Sequence, residues 1–385
     1  MKMPNQSLDR MLSLGSQAPT SSSPTAEQHA AAQERNSQTF RKIGAGACGA
    51  VFAPDGKSVA FKLAKSDDGS ELWNDYKMHD RIIRAFDKYM YMIDDVRVPE
   101  CYIFSPSTNQ EFLDNCTGLA EAAQDVCNLP THVLVTQRIH PLPSSTRNLL
   151  IDKYCAPRIK EEARADAANR DCLVRVYLGS LRGRTSPMFF SLRNFKLHLN
   201  QMLELQLDVE ALANRMGTAL AVMHWAASTD ARDVEFVLGS SSAKTKTTRA
   251  GGIDLEKVEP LTYTGPPSNR FQDLFCRVIE LFVLDFNQVR SITLDDEGVA
   301  LAVQAWQLND PYYPKPPGCC ETPMQRNIWK TFATSYLEVS HAILSEEVGQ
   351  EEKVLDLPGK FLLGISDAER NKMESRMGVG VQEGE

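Results

Sequence analysis

Residues Arg41 to Lys65 read RKIGAGACGAVFAPDGKSVAFKLAK, with Gly44, Gly46 and Gly49 ahead of Val51 and a Val-Ala-Phe-Lys strand ending at Lys62. Few patterns restrict a backbone as tightly. Glycines at that spacing let main-chain amides approach phosphate oxygens, and a lysine thirteen residues beyond the last glycine adds a fixed positive charge for the α- and β-phosphates. Dinucleotide-binding folds use the same GxGxxG spacing, but there a helix follows the loop directly. Here Gly49 leads into Ala50-Val51-Phe52, then the turn Pro54-Asp55-Gly56-Lys57, then a second β-type run from Ser58 to Leu63. Strand, turn, strand favours a hairpin over a loop-helix unit. No GxxxxGK[ST] occurs, which excludes a Walker-type phosphate loop. An ordinary glycine-containing hairpin with an exposed lysine is the plain alternative.

The remaining composition narrows the class. A chain of 385 residues, 42% apolar and 24% charged, can bury one large bilobed core or two smaller ones. Its nine cysteines, at 48, 101, 116, 127, 155, 172, 276, 319 and 320, are scattered and form no CxxC pair. That argues against a disulfide scaffold and against a zinc ribbon or finger. The adjacent Cys319 and Cys320 read as incidental, although exposed neighbouring thiols would be open to oxidation. No apolar run reaches the roughly 20 residues of a membrane span, and the first thirty residues lack a hydrophobic signal core. A cytoplasmic or nuclear location without membrane partners is the expectation. A net charge of −8 gives no electrostatic footprint for nucleic acid, and Lys244, Lys246 and Arg249 read as a solvated loop.

Composition also divides the chain. Residues 1–38 are rich in Ser, Gln, Ala, Thr and Pro and are expected to be disordered; Leu8, Met11 and Leu12 could form one docking helical turn, with fraying the preferred reading. From about 346 the chain turns acidic and then glycine-rich, which suggests a peripheral tail over 346–385. Between them, Glu71–Phe86 carries Leu72, Tyr76, Ile82, Ile83 and Phe86 at helical spacing, and Thr131–Ile139 is β-rich and closed by His140-Pro141-Leu142-Pro143. Arg147–Tyr154 and Ile159–Asn169 read as helical, and Cys172–Leu178 as a strand, followed by Arg182 and Arg184. Asp208 caps a long helix running to His224, whose Leu212, Met216, Leu220 and Met223 stripe is core packing. His224 reads as a helix C-terminal histidine favoured by the dipole. Beyond it come Asp230-Ala-Arg232-Asp233-Val-Glu235 and a strand, then a helix and strand from Arg270 that reach Leu284-Asp285-Phe286-Asn287, and a helix over Met324–Leu344.

In order, GxGxxGxV, VAFK, helix, β-rich run, DxRxxEF and LDFN resemble the protein-kinase-like fold over most of residues 40–345. The segments HWAASTDARDVEFVLG, LFVLDFNQVR and NDPYYPKP further resemble a fungal family of unknown function often labelled as zinc-finger protein. The resemblance implies an α+β bilobal architecture. Its small β-rich nucleotide lobe would span 39–143, and its mainly helical second lobe 144–345, with insertions at 144–200 and 240–270. It implies ATP and Mg2+ as cofactors, with phosphates at Gly44, Gly46, Gly49 and Lys62, and Asp75, or else Glu71, orienting Lys62. An adenine edge would lie along Gln137 to Ile139, with Thr136 at the gate of its pocket. Asp230 and Arg232 would be catalytic, with the sequence leaving open whether Asp230 or Asp233 faces the cleft, Asp285 and Glu235 would hold the metal, and Arg175, Arg182 and Arg184 could recognise substrate. It also suggests a filamentous-fungal source and an accessory or regulatory place in secondary metabolism.

The departures carry weight. Glu235 stands where the resemblance has a metal-binding Asn, Asn287 where it has the Gly of Asp-Phe-Gly, and no Ala-Pro-Glu segment follows Asp285 to shape a peptide platform. These point away from a protein kinase. Two readings remain: an ATP-dependent phosphotransferase acting on a small molecule, or a catalytically impaired pseudokinase serving as a regulatory or scaffold protein.

Overall fold

A computed structural model describes residues 8–19, 39–46, 48–55, 57–93, 96–185, 188–242, 276–320, 322–347 and 352–382. The hairpin read from the glycine-rich segment forms strands β2 (Phe40–Ala45), β3 (Gly49–Pro54) and β4 (Val59–Ala64). Together with β6 (Cys101–Ser105) and β7 (Val133–Gln137) they make an antiparallel sheet in the order β2-β3-β4-β7-β6. The two-residue period of a strand divides β4 between two cores. Phe61 and Leu63 join Phe40, Phe52, Val133 and Val135 beneath the short helices Gln110–Asn115 and Thr117–Ala123. Ala64 instead packs with Leu134 and with Leu72 of helix Ser70–Lys88. That helix buries Leu72, Asp75, Met78, His79, Ile82, Ala85 and Phe86, a repeat of three and four residues that aims one stripe inward. Lys62 shares the helix-facing side of β4, so Lys62 and Asp75 face each other across the sheet–helix gap.

A second sheet has the order β1-β11-β10-β8-β9, from strands Gln17–Pro19, Cys276–Leu284, Glu235–Ser242, Val174–Tyr177 and Phe195–His198. The two-residue strand β5 (Val96–Arg97) adds in parallel to β11. The β10–β11 register pairs Glu235 with Leu284, which brings Asp285 to the end of the hairpin beside Glu235. Behind the sheet, helices Val209–Ala221 and Pro323–Glu347 pack at backbone contact. A Cβ on Gly217 would lie 2.6 Å from the Phe332 carbonyl oxygen. Asp208 caps the first of these helices by accepting from the Ala211 amide at 2.9 Å. A π turn over Val222–Ala226 ends it, and Thr229 folds back onto the Met223 carbonyl.

The molecule is thus α+β, with two sheets and about half of its described residues helical. Several expectations change. Leu8–Leu12 is a docked turn with Leu8, Met11 and Leu12 buried, and Gln17–Pro19 pairs with β11, so residues 8–19 are ordered. The segment 144–200 supplies β8 and β9 to the second sheet, and is integral to it rather than an appended insertion. The acidic C-terminal stretch forms helix Leu357–Gln382, which buries Leu357, Phe361 and Ile365 in the main core. His224 is also buried, with Nδ1 2.9 Å from the Tyr336 hydroxyl. Burial pushes its pKa down to about 3, which disfavours the charged form that a helix-dipole role needs. The 240–270 loop beyond Ser242, with Lys244, Lys246 and Arg249, lies outside the described residues, as does any helix before Cys276. No helix among the described residues is long and apolar enough to cross a membrane.

Candidate functional site

Three segments meet at Lys62: its own strand, the helix that follows it, and a turn 223 residues further on. Its Nζ donates to Asp75 Oδ2 at 2.6 Å and to Asp285 Oδ1 at 2.7 Å. Burial disfavours the ammonium, but Asp75 and then Asp285 outweigh it and hold the Lys62 pKa well above its ordinary value. The second oxygen of Asp75 accepts from the Phe286 amide at 3.1 Å, so one buried carboxylate anchors both the lysine and the turn after β11. The neighbouring Asn74 donates to the carbonyls of Asn287 and Val289 at 3.0 and 2.9 Å. Asp285 has φ 68°, left-handed backbone that Asp tolerates better than most side chains. Glu71, the alternative to Asp75, instead lies beside Cys48.

These groups line a cavity of about 350 Å³ between the two sheets, within the range of small-ligand sites. Its apolar walls are Ile43, Val51, Ala60, Leu134, Leu173 and Leu284, with Thr136 also at the wall. Gly44, Gly46 and Gly49 line it from the hairpin. Gly49 cannot be replaced freely, since a Cβ there would lie 2.9 Å from the Leu63 carbonyl oxygen and 3.2 Å from Lys62 Cγ. Gln137 and Ile139 line the far end. The Gln137 amide donates to Glu100 O at 2.7 Å and the Arg138 amide to Ser58 O at 3.1 Å, leaving Ile139 as the candidate amide donor of that segment.

The loop before β10 departs from expectation. Asp230 is outside the lining: its carboxylate is fully buried, with Oδ2 2.6 Å from Arg290 Nε and Oδ1 accepting the Arg290 and Arg232 amides at 2.9 and 3.1 Å. Arg232 also lies outside, 3.4 Å from Gln288 through its Nε. Left-handed backbone at Ala231 (φ 52°) and Asp233 (φ 60°) turns the chain so that Asp233 lines the cavity in place of Asp230. Lost hydration raises the Asp233 pKa, and the Asp285 charge adds to it. Glu235 lines the cavity in an ion pair with Arg175. Burial pushes its pKa up to about 7, against the pull of Arg175 and with a further push from Asp285. Arg182 and Arg184 lie outside the lining.

Several lining residues escaped the sequence reading. Asp171 accepts from Arg41 of β2 through both terminal guanidinium nitrogens, one at 2.7 Å, and from Arg138 at 3.3 Å, which fastens the glycine-rich hairpin to the segment before β8. Asn287 donates to Cys48 Sγ at 2.8 Å, tying the tip of the hairpin to the turn after β11. Neither pair has a local sequence signal. Each depends on residues more than a hundred positions apart.

A family model, DUF3669, described as "Zinc finger protein", matches residues 281–348 of the 385. The matched stretch runs from the end of β11 through Asp285, Asn287 and helix Asp296–Leu308 to the end of helix Pro323–Glu347. No curated protein and no solved structure matches the chain at a significant level. The word zinc finds no counterpart among the described residues, where no group of three or more His, Cys, Asp or Glu side chains is placed to hold a metal ion.

Proposed function

We propose that the protein has a kinase-like bilobal arrangement and binds ATP with magnesium between its two sheets, transferring the terminal phosphoryl group to a small molecule. One observation carries the reading: Lys62, Asp75 and Asp285 converge on a cavity roofed by Gly44, Gly46 and Gly49. In that reading Lys62 holds phosphate oxygens, Asp75 keeps it oriented, and the walls from Val51 to Leu284 sandwich the base, with Ile139 donating to its edge. Asp233 faces the acceptor and receives its hydroxyl proton, the part assigned from sequence to Asp230.

The donor set fits a metal-bound nucleotide better than a bare one. The lining holds five carboxylates, Asp75, Asp171, Asp233, Glu235 and Asp285, against the three cations Lys62, Arg138 and Arg175. A polyphosphate entering alone would meet an excess of negative charge. Magnesium takes one or two carboxylates and completes its shell with phosphate and water oxygens, so a three-residue cage is not needed. When bound it supplies charge neutralisation at the phosphates. Asp285 is the first candidate to hold it.

A second reading, nucleotide binding without turnover, draws on Asp230 and Glu235, both committed to arginines. Calorimetric titration with Mg-ATP, paired with an assay of slow ATP hydrolysis, separates the two. Under the transferase reading Asp285→Ala loses nucleotide binding, while Asp233→Asn binds within about twofold of the parent and loses most hydrolysis. Hydrolysis unchanged in Asp233→Asn would remove that residue from the chemistry. Binding with no hydrolysis in the parent protein would favour the regulatory or scaffold alternative.

A further inference from the structure

Asn309 opens the segment NDPYYPKP at the end of helix Asp296–Leu308, 78 residues beyond Ala231, yet its side chain is bonded to both ends of the turn before β10. Its Oδ1 accepts from the Asp233 amide at 2.6 Å, and its Nδ2 donates to the Ala231 carbonyl at 2.8 Å. A main-chain amide only donates and a main-chain carbonyl only accepts, so these two partners fix which way the carboxamide points. The backbone of Asn309 is held as well. Its amide donates to the Ala305 carbonyl at 3.0 Å, its carbonyl accepts from the Tyr312 amide at 2.9 Å, and the residue is 3% exposed. A capping side chain bonds within its own helix; this one spends both ends on another element.

The turn it spans needs holding. Ala231 and Asp233 both have left-handed backbone, which is unfavourable for a residue with a Cβ and persists where the surroundings enforce it. That conformation puts Asp233 at the cavity in place of Asp230. The start of the turn is anchored separately, since the Asp230 amide donates to the Arg290 carbonyl at 2.9 Å and Asp230 Oδ1 accepts the Arg232 amide at 3.1 Å. Asn309 fixes the middle and the end. Gln288 then steadies the carboxylate, donating from Nε2 to Asp233 Oδ2 at 2.6 Å while its Oε1 accepts from Arg232 Nε at 3.4 Å. Asn309 itself lies outside the cavity lining, so it acts on the site through this turn.

Resting on the transferase reading above, we propose that Asn309 is a positioning residue for that reaction: its carboxamide clasps the left-handed turn at Ala231 and Asp233 and so holds the Asp233 carboxylate where it receives the proton of the acceptor hydroxyl. That proton passes to Asp233 as the hydroxyl oxygen bonds to the terminal phosphorus of ATP and the bond from that phosphorus to the ADP oxygen breaks.

The test is slow ATP hydrolysis by the full chain with magnesium, water standing in for the acceptor, with Mg-ATP binding followed by calorimetry. Asn309→Ala should bind Mg-ATP within about twofold of the parent and hydrolyse it about tenfold or more slowly, the loss expected when a reacting group is misplaced. In an Asp233→Asn background the same substitution should change the rate by less than about twofold, because the group it positions no longer takes the proton. Adding Ala231→Gly to Asn309→Ala should restore the rate by about threefold, since glycine adopts left-handed backbone without a clasp. Asn309→Asp keeps an acceptor for the Asp233 amide but sets an oxygen against the Ala231 carbonyl, and it takes the place of Asn309→Ala if that variant does not fold. Equal losses in the parent and in the Asp233→Asn background would make Asn309 a purely structural residue and overturn the assignment while leaving the transferase reading intact. An unchanged rate in Asn309→Ala would do the same. A parent that does not hydrolyse ATP, or an Asp233→Asn variant that hydrolyses it as the parent does, would overturn the assignment together with the role of Asp233.

Discussion

Lys62 keeps its charge at any ordinary pH because two carboxylates flank a buried ammonium. Its partners differ in what they do. Asp75 is locked by the lysine and the Phe286 amide together, whereas Asp285 is more exposed and sits on strained backbone at the cavity edge, free to exchange lysine for a ligand. Glu235 offers a pH test of the site. Its pKa is pushed up to about 7 from an ordinary 4.5, chiefly by burial, so the folded protein holds that proton more tightly than the unfolded chain. The associated stability is complete below 4.5 and is lost as pH rises through about 7. Denaturant midpoints across that window should fall more steeply with pH in the parent than in Glu235→Gln. Parallel curves would show that Glu235 titrates normally. In the sequence, Lys62 and the glycines sit at fixed offsets within one local pattern, Asp285 stands out by following a short apolar strand, and Asp75 was preferred to Glu71 only for its mid-helix place. The choice of Asp233 was not legible, because the left-handed turns at Ala231 and Asp233 that exchange it for Asp230 leave no mark in residue spacing.

The elements that hold these residues obey the periods of their sequences. Glu71–Phe86 read as a helix and forms Ser70–Lys88, and Met324–Leu344 lies within Pro323–Glu347. The failures have physical causes too. Leu357–Gln382 was taken for part of a tail because the stretch from 346 opens acidic and closes glycine-rich, yet Leu357, Phe361 and Ile365 make one buried stripe. Phe361 meets His224 edge-on with ring centres 4.8 Å apart and also packs on Tyr336 and Trp306. Phe361→Ala should therefore cost about 3–5 kcal/mol of unfolding free energy in chemical denaturation. A loss below about 1 kcal/mol, the size of a surface change, would mean that this helix is not part of the core. Helix Asp296–Leu308, which contributes Trp306, was not read from the sequence.

Across the whole molecule, the cavity depends on how two sheets are fastened. Strand β5 follows helix Ser70–Lys88 and enters the second sheet beside β11, Asn74 reaches over to the turn after β11, and Arg41 of β2 is held by Asp171 before β8. These long-range ties set the distance between the glycine-rich hairpin and Asp285. They are the part of the architecture least readable in sequence, because strands β8 and β9 gain meaning only once β8 pairs with β10 and β9 with β8. Lys62, Asp75 and Asp285 meet at one cavity. The resemblance did not anticipate Asp171, Arg138 or Cys48, whose roles arise from packing between the sheets.

The central claim, a metal-dependent nucleotide site built on Lys62 and Asp285, is tested most directly by thermal denaturation of the full chain with ATP, with magnesium and with both. Ligand that binds only the folded state stabilises it by about 2.7 kcal/mol at a concentration 100 times its Kd. The expected result is a rise in melting temperature that needs ATP and magnesium together and is lost in Lys62→Met and in Asp285→Ala. No rise in the parent, or one that survives Lys62→Met, would contradict the assignment of the cavity as a nucleotide site.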